Sequence, residues 1–430
     1  MACGGRTELL GLDDGSSSGA TGPLVTGGRS STGGAPNSGG AGASPNGGTD
    51  SGGASSGGAP SGGTSGNGGA ASGGSGDQET CIFGADKEFL SSGSIDVGRA
   101  LARTETELLI AGYYGSGAGE AQTHHSALVR LRPDDSLLDD YVVSFTEYDE
   151  PRGIAAHPSG SVFLAGIAFE PTDDSAQSIV ARWNAAGALW ATFEGSGRNE
   201  HTTAIAAGPA GTTYVVGFSY GPLGPNDTPQ AFLRRYLDVE SGTRTVEFDV
   251  SDLTRLNAVY VTASGDVHIA GSSLIQGRHR AHLSVLKGDS RIHRNFDEDA
   301  EEATAVLVAD DGTIHLAGSG THGAFAKRIT NNGRELFTSW MNVSNVKSVT
   351  RGLAFDARGA VWWTGGYAEE GGGRSFLTAL AEDGDRPWTI TFDGIAYAIA
   401  GDDSCNLYLA GDFPDGEGES ALIKVPGRPQ

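Results

Sequence analysis

The chain has 430 residues, of which 69 are glycine, 37% are hydrophobic and only two are methionine. This length fits two or three average domains or one large all-β domain, and the glycine content favours a strand-rich protein with many loops. The net charge of −24 argues against a nucleic-acid partner, because phosphate binding depends on clusters of lysine and arginine that this sequence lacks.

The N-terminal segment, residues 1–14, begins with MACGG and contains a candidate lipid-anchor cysteine, Cys3. A small residue before an acylated cysteine is typical of the end of a bacterial lipoprotein signal, whereas the basic and apolar parts of such a signal are missing. We therefore expect that the start was assigned too late or that an upstream part was removed. The alternative is an ordinary thiol in an N-terminal tail.

Residues 15–78 form a low-complexity segment built mainly from Gly, Ser, Ala, Thr, Asn and Pro. The first aromatic residue of the chain is Phe83, so this segment cannot bury enough apolar surface to offset its chain entropy. We expect a disordered linker whose ends are roughly 45 Å apart on average. Such a tether after Cys3 would hold a folded domain away from a membrane surface.

The remaining part, residues 79–430, contains a pattern that recurs seven times. Each copy is an apolar run that ends in a glycine, here called the signature glycine: Gly112, Gly166, Gly217, Gly271, Gly318, Gly365 and Gly411. A second apolar run precedes each of them and begins with a small residue: Ala100, Gly153, Ala204, Ala258, Ala305, Gly352 and Ala398. Two more strand-like runs follow each signature glycine, and no helical periodicity is present.

Seven units of four short strands predict an all-β fold, a seven-bladed β-propeller of four-stranded blades. The first strand of each blade would face the central channel, where a large side chain would clash, which accounts for the small residues. The last unit supplies only three strands. We therefore expect an N-terminal strand that contains Phe89 to complete the last blade.

Two cysteines lie where this closure would bring the chain ends together. Cys405 replaces the turn glycine of the seventh unit, and Cys81 precedes the closing strand. We predict a disulfide between Cys81 and Cys405, which an exported protein would keep oxidised. The alternative is a pair of unrelated thiols.

The units resemble a known repeat. Residues 179–217, IVARWNAAGALWATFEGSGRNEHTTAIAAGPAGTTYVVG, are similar to the bacterial seven-bladed β-propeller (SBBP) repeat, with its strand, its Asp/Asn-x-x-Gly turn and its closing small-Gly run. The resemblance recurs in every unit. It implies an exported or surface-attached bacterial protein, similar to myxobacterial surface lipoproteins, and it carries over no catalytic residues. His157 and Gly208 stand where the repeat has an acidic turn residue, so a metal at those turns is not expected.

Candidate ligand-binding residues come from the channel mouth. The residue before each small channel residue should ring that mouth: Arg99, Arg152, Thr203, Asn257, Thr304, Arg351 and Tyr397. Four of these come from neighbouring units of a closed ring and are called the arginine crescent: Arg351, Tyr397, Arg99 and Arg152. Because guanidinium forks suit carboxylates, the expected ligand is an acidic glycan or a peptide carboxylate.

The opposite arc carries the weak metal candidates Glu200, Asp252, Glu301 and Glu302, whose oxygens would suit Ca²⁺. No other cofactor is expected. For both arcs the alternative is a set of solvated loops with internal ion pairs, such as Glu150 with Arg152. Ser284 begins a Ser-x-x-Lys pattern, but it lies on a predicted strand without a supporting motif.

The favoured function is non-catalytic: a monomeric propeller, exposed at the bacterial cell envelope as a lipid-anchored or secreted protein, that binds a polysaccharide or an envelope protein. The membrane would be contacted only through the lipid on Cys3. One alternative is a glycan-acting hydrolase or lyase at the channel mouth, which the fold does not exclude. Another is a purely structural envelope component.

Overall fold

The computed structural model describes residues 81–429 with gaps. The residues within this range that it does not describe are 85, 91–92, 117–122, 147, 158, 171–174, 185–188, 195–198, 222–227, 238–245, 248–249, 251–252, 289, 298, 342–346, 370–371, 381–388 and 415–418. Cys3 and the predicted linker 15–78 therefore lie outside the described residues. In the described part, no helix is long and apolar enough to cross a membrane.

The described secondary structure is almost entirely β, apart from one 3₁₀ turn at Pro209–Gly211. The strands of the first half are β1 (Cys81–Phe83), β2 (Glu88–Phe89), β3 (Val97–Arg103), β4 (Leu108–Ser116), β5 (Thr123–Leu131), β6 (Leu137–Val143), β7 (Tyr148–Ala156), β8 (Val162–Glu170), β9 (Ser175–Trp183), β10 (Leu189–Glu194), β11 (Asn199–Ala207), β12 (Thr213–Tyr220), β13 (Gln230–Tyr236) and β14 (Val246–Glu247). The strands of the second half are β15 (Arg255–Val261), β16 (Val267–Ile275), β17 (Arg278–Lys287), β18 (Ser290–Asn295), β19 (Ala300–Val308), β20 (Ile314–Gly320), β21 (Gly323–Ile329), β22 (Glu335–Met341), β23 (Ser348–Phe355), β24 (Val361–Glu369), β25 (Gly372–Leu380), β26 (Thr389–Asp393), β27 (Ile395–Gly401), β28 (Leu407–Pro414), β29 (Glu419–Val425) and β30 (Gly427–Pro429).

These strands form a ring of small antiparallel sheets that resembles a β-propeller. Five separate four-stranded sheets are present among the described residues: β11 to β14, β15 to β18, β19 to β22, β23 to β26, and β27-β28-β29-β2. The expected seven separate sheets are therefore not found. The first two predicted units share one eight-stranded sheet, because a parallel bridge between His124 and Tyr148 joins β5 to β7.

The ring is built around seven innermost strands: β3, β7, β11, β15, β19, β23 and β27. Each packs against the next, and β27 packs against β3. The approach is close, since a Cβ added at Gly352 would lie 2.9 Å from Cγ2 of Ile399 on the neighbouring strand. This crowding is the physical reason for the small residues of the repeat.

Every innermost strand carries a β-bulge, an extra residue that drops out of the strand pairing and redirects its side chain. The register with the second strand shifts immediately before each small residue. The skipped residues are Arg99, Arg152, Thr203, Asn257, Thr304, Arg351 and Tyr397. The bulges therefore fall at the seven positions that the sequence assigns to the channel mouth.

The bulge also explains the signature glycines. At each of the seven, an added Cβ would collide with the carbonyl oxygen of the residue two before the bulged one, such as Arg255 for Gly271. The second strand runs so close to the distorted backbone that no side chain fits. The glycine and the bulge are therefore one structural unit.

The core lies between neighbouring sheets. One cluster joins Leu283 and Phe296 to Val306 and Phe325 of the next sheet. A second joins Trp362 and Leu377 to Leu409 and Ile423. Fully burying a side chain of this size contributes about 1.5–3 kcal/mol, so the sheet interfaces hold most of the hydrophobic stabilisation.

The chain ends meet in the last sheet, as the sequence predicts. Glu88 and Phe89 pair with Lys424 and Ile423 of β29, and β1 pairs with β30. A disulfide joins Cys81 to Cys405, whose Cα atoms are 5.6 Å apart. Cys405 has a φ of 65°, while the turn glycines at equivalent positions, such as Gly359, have φ near 81°.

We expect that Gly271→Ala lowers the free energy of unfolding by about 2–3 kcal/mol, because the new methyl group collides with the carbonyl of Arg255. The control is Gly84→Ala, where the nearest atoms lie 3.6 Å away and the change should stay within about 0.5 kcal/mol. Chemical denaturation of the full chain measures both. Equal stabilities would contradict the role of the signature glycine.

The disulfide joins two residues that are 324 positions apart in the sequence, so Cys81→Ser should lower the free energy of unfolding by about 4 kcal/mol. In that background, Cys405→Gly should be about 1 kcal/mol more stable than Cys405→Ala, because glycine adopts a positive φ without strain. Urea titrations of the three variants test both statements. Alanine matching glycine at position 405 would contradict the second.

Candidate functional site

The bulged residues converge on a central cavity of about 290 Å³. All seven channel-mouth residues line it, and the small residues of four neighbouring sheets and of the last sheet form its inner wall. The cavity therefore brings together the four members of the arginine crescent: Arg351, Tyr397, Arg99 and Arg152. No aspartate or glutamate lines this cavity among the described residues.

Three of the seven bulged side chains fasten neighbouring innermost strands to each other. Thr203 Oγ1 donates to the Leu256 carbonyl at 2.6 Å, and Thr304 Oγ1 donates to the Thr350 carbonyl at 2.5 Å. Asn257 Nδ2 donates to the Ala303 carbonyl at 2.9 Å. Their hydrogen-bonding groups are thus engaged within the ring.

The arginines on the other side share one carboxylate. Arg99 Nη2 lies 2.5 Å from Glu150 Oε1, and Arg152 Nη2 lies 2.7 Å from Glu150 Oε2. Burial alone would lower the pKa of Arg99, but Glu150, Tyr397 and Tyr113 raise it above its ordinary value. Burial also raises the pKa of Tyr113 to about 12, so this ring beside Arg99 is neutral. The guanidinium of Arg99 therefore stays protonated.

Arg351 differs from the other two because it makes no ion pair or hydrogen bond with any described residue. Its guanidinium carbon lies 5.5 Å from the ring centre of Tyr397, and Arg99 lies 4.1 Å from the same ring. Burial lowers the pKa of Arg351, the charges of Arg99 and Arg152 lower it further, and Tyr397 and Glu302 act in the opposite direction. The net lowering is consistent with a cation that has no carboxylate within ion-pair distance among the described residues.

The crescent arginines also carry unsatisfied donors. The Nε groups of Arg99, Arg152 and Arg351 are buried without a hydrogen-bond partner among the described residues, as are those of Arg235, Arg255 and Arg328 outside the cavity. Buried polar groups in folded proteins nearly always have partners, so each such donor calls for a ligand atom or an ordered water. The arrangement can accept a planar anion through several N–H groups at once.

The opposite wall was not anticipated from the sequence. His201 and Phe218 line the cavity and stack on each other, with ring centres 5.2 Å apart. Phe218 follows the signature glycine Gly217, and Ile167, which follows Gly166, also lines the cavity. Two of the seven positions directly after the signature glycines therefore contribute to the site. That spacing is present in the sequence and could have identified these residues.

The described metal candidates are engaged elsewhere. Glu200 forms a buried two-pronged ion pair with Arg234 at 2.7 and 2.8 Å, and Glu301 pairs with Lys347 at 3.3 Å. Glu302 accepts a hydrogen bond from Asn257 at 2.9 Å, and Asp252 lies outside the described residues. No cluster of three or more His, Cys, Asp or Glu suited to a metal occurs in the described part.

A second constellation involves Ser284. His282 Nε2 lies 2.7 Å from Ser284 Oγ, and His282 Nδ1 lies 2.8 Å from Asn295 Oδ1. This hydrogen-bonded arrangement of Ser, His and Asn is similar to that of a catalytic triad. Both Ser284 and His282 are completely buried, and Arg291 Nε also donates to Ser284 Oγ. A substrate carbonyl cannot reach this serine, so the arrangement stabilises the sheet.

No protein-family model and no curated protein matches the sequence. Among solved structures, a crystal structure of puromycin hydrolase is similar at 14% identity with a TM-score of 0.51. The match covers 77% of this chain and 53% of the hydrolase, so the chain spans about half that protein's length. Drosophila Plexin A in complex with Semaphorin 1b matches at 9% identity and a TM-score of 0.42, covering 81% of this chain and 87% of that one. Pyrococcus horikoshii acylaminoacyl peptidase matches at 12% identity and 0.45, covering 75% and 51%. At these identities the hydrolase likeness supports the fold alone.

The missing counterion of Arg351 predicts opposite effects of two substitutions on the ligand-free protein. Arg351→Met should raise the free energy of unfolding by about 1 kcal/mol, because it removes a charge held away from water without an ion pair. Arg99→Met should lower it by about 2 kcal/mol, because Glu150 loses one charged hydrogen-bond partner and keeps Arg152. Thermal and urea unfolding test the pair. A loss of stability in both variants would contradict this view of Arg351.

Proposed function

We propose that this protein is a non-catalytic binding propeller whose central cavity takes an anionic group of a polysaccharide or an envelope protein. The observation that carries the proposal is Arg351, a guanidinium in the cavity without an ion pair among the described residues. A carboxylate beside it would also satisfy the buried Nε donors of Arg99 and Arg152. Proteins retain a buried charge that lowers their stability where that charge serves a function, such as binding an anionic ligand.

The same geometry favours binding over glycoside hydrolysis. A glycosidase uses two carboxyl groups on either side of the scissile bond. Glu150, which pairs with two of the crescent arginines, does not line the cavity, and neither does any other described carboxylate. The pair of carboxyl groups that a glycosidase uses is therefore lacking among the described lining residues.

We also propose that the eight-stranded sheet counts as two blades, so that the propeller has seven. Support comes from its construction: β3 to β6 and β7 to β10 are two antiparallel groups of four, joined through one residue pair. Seven bulged innermost strands and a hydrophobic cluster at each interface between neighbouring groups are consistent with this count. The repeat would then be of the seven-bladed bacterial type that it resembles.

The proposed location is the bacterial cell envelope. The bond between Cys81 and Cys405 supports export, because disulfides persist in oxidising compartments. The lipid on Cys3 and the tether 15–78 rest on the sequence alone. In this proposal they give the cavity a reach of tens of ångströms from the membrane.

Isothermal titration of the full chain with two probes tests the binding proposal: an oligosaccharide that contains glucuronic acid and a peptide with a free C-terminal carboxylate. We expect at least one to bind, and Arg351→Gln to weaken that binding about tenfold or more, the loss of one charge-assisted contact. The matched control is Arg334→Gln, an exposed arginine outside the cavity, which should leave affinity unchanged.

The same incubations, followed by mass spectrometry, separate a binder from an enzyme. A binder leaves both probes intact. Conversion of either probe by the wild type, and its loss in Arg351→Gln with binding retained, would overturn the non-catalytic proposal.

A further inference from the structure

The residues that line the cavity carry a positive charge, whereas the domain around it carries a negative net charge. Residues 1–78 contain two arginines and five carboxylates, a charge of −3, so the remaining residues carry −21 of the total −24. The cavity at the centre of this acidic domain is lined by three arginines and His201, without a carboxylate among its described lining residues. An anion is thus repelled by the domain as a whole and attracted by one small region.

The number of negative charges that the arginine crescent can neutralise is small. Arg99 and Arg152 already share the carboxylate of Glu150, so their positive charge is partly neutralised. Arg351 is the one crescent guanidinium without an ion pair in the described part of the chain. Counting charges within ion-pair distance, the crescent lacks only one or two negative charges.

Carboxylates next to the cavity oppose any further anion. Glu302 is held by Asn257, a lining residue, with Nδ2 and Oε1 2.9 Å apart. Asp412 follows the signature glycine Gly411, at the position that Phe218 and Ile167 occupy in their sheets. Burial raises the pKa of Asp412, and the charge of Arg99 opposes this shift. Like charges a few ångströms apart repel each other near a protein surface, and salt screens this repulsion.

The size of the cavity sets a further limit. A volume of about 290 Å³ is at the lower end of small-molecule pockets. Its inner wall consists of Ala258, Ala305 and Ala398 with apolar neighbours such as Val306. One residue-sized end group fits this space, and the rest of a longer ligand must leave through the mouth of the cavity.

Resting on the proposed function, we propose that the ligand carries a single carboxylate at the end of an otherwise uncharged chain, and that the cavity selects against polyanions. Two kinds of molecule share this chemistry: the C-terminus of a neutral peptide, and a neutral oligosaccharide that ends in one uronic acid. Arg351 and the Nε donors of the crescent hold the carboxylate. The acidic surroundings, Glu302 in particular, reject repeated charges.

Titration calorimetry of the full chain at 20 and 200 mM salt tests this selectivity with four probes. They are acetyl-Ala-Ala-Ala with a free carboxylate, the same peptide as its amide, a neutral trisaccharide that ends in glucuronic acid, and hexagalacturonate. We expect one or both single-carboxylate probes to bind at least tenfold more tightly than hexagalacturonate, and the amide not to bind. Because screening relieves the domain's repulsion, hexagalacturonate affinity should rise with salt.

A matched pair of variants separates local from global charge. Glu302→Gln keeps an acceptor for Asn257 and removes one negative charge beside the cavity, so hexagalacturonate affinity should rise several-fold. Glu105→Gln makes the same change of net charge at an exposed turn and should alter it little.

The outcomes are distinct. Hexagalacturonate binding as tightly as the single-carboxylate probes, with loss in Arg351→Gln, would overturn the inference and leave the binding proposal standing. No binding of any of the four probes would overturn the binding proposal and the inference with it.

Discussion

The β-bulge in each innermost strand is the backbone feature on which the rest of the structure depends. It lets one side chain leave the strand pairing and turn towards the centre, while the following small residue keeps the ring tight. It also pushes a carbonyl oxygen against the second strand, which is tolerated only because that position is a glycine. Assembly of the ring and construction of the cavity therefore share one local cause.

The seven bulged side chains fall into two groups, those that stabilise the ring and those that line the proposed binding site. Thr203, Asn257 and Thr304 donate hydrogen bonds to the backbone of the next innermost strand, and these bonds link neighbouring strands of the ring. Arg351 has no such bond within the described chain, and Arg99 and Arg152 compete for Glu150. Buried charge without full compensation costs stability, and proteins accept that cost chiefly at functional sites.

Much of the fold was predictable because its constraints are local. Glycine is required wherever a bulge crowds the second strand, so the repeat and its small channel residues are visible in the sequence. The closing strand at Phe89 followed from a unit that is one strand short. The bridge between His124 and Tyr148 was not predictable, because it depends on how two sheet edges meet in space, and it merges two units into one sheet.

The sequence predicts which residues come together at the central cavity, but it does not predict all of the ion pairs that they form. Counting one residue back from each small residue locates the arginine crescent. The sequence also suggested an ion pair of Glu150 with Arg152, as an example of the internal pairs that were the alternative to a binding site, and this pair is present. That Glu150 also reaches Arg99 depends on the spacing of two innermost strands. Glu200 pairs with Arg234, which is 34 residues away along the chain, and Glu301 pairs with Lys347, which is 46 residues away. These long-range ion pairs engage the acids that the sequence suggested as metal ligands.

Whether the cavity binds a carboxylate can be seen in a crystal structure of the full chain soaked with acetyl-Ala-Ala-Ala. We expect carboxylate density in the central cavity, with oxygens within hydrogen-bond distance of Arg351 and of at least one other crescent arginine. A cavity that holds only water while the peptide occupies another surface would contradict it.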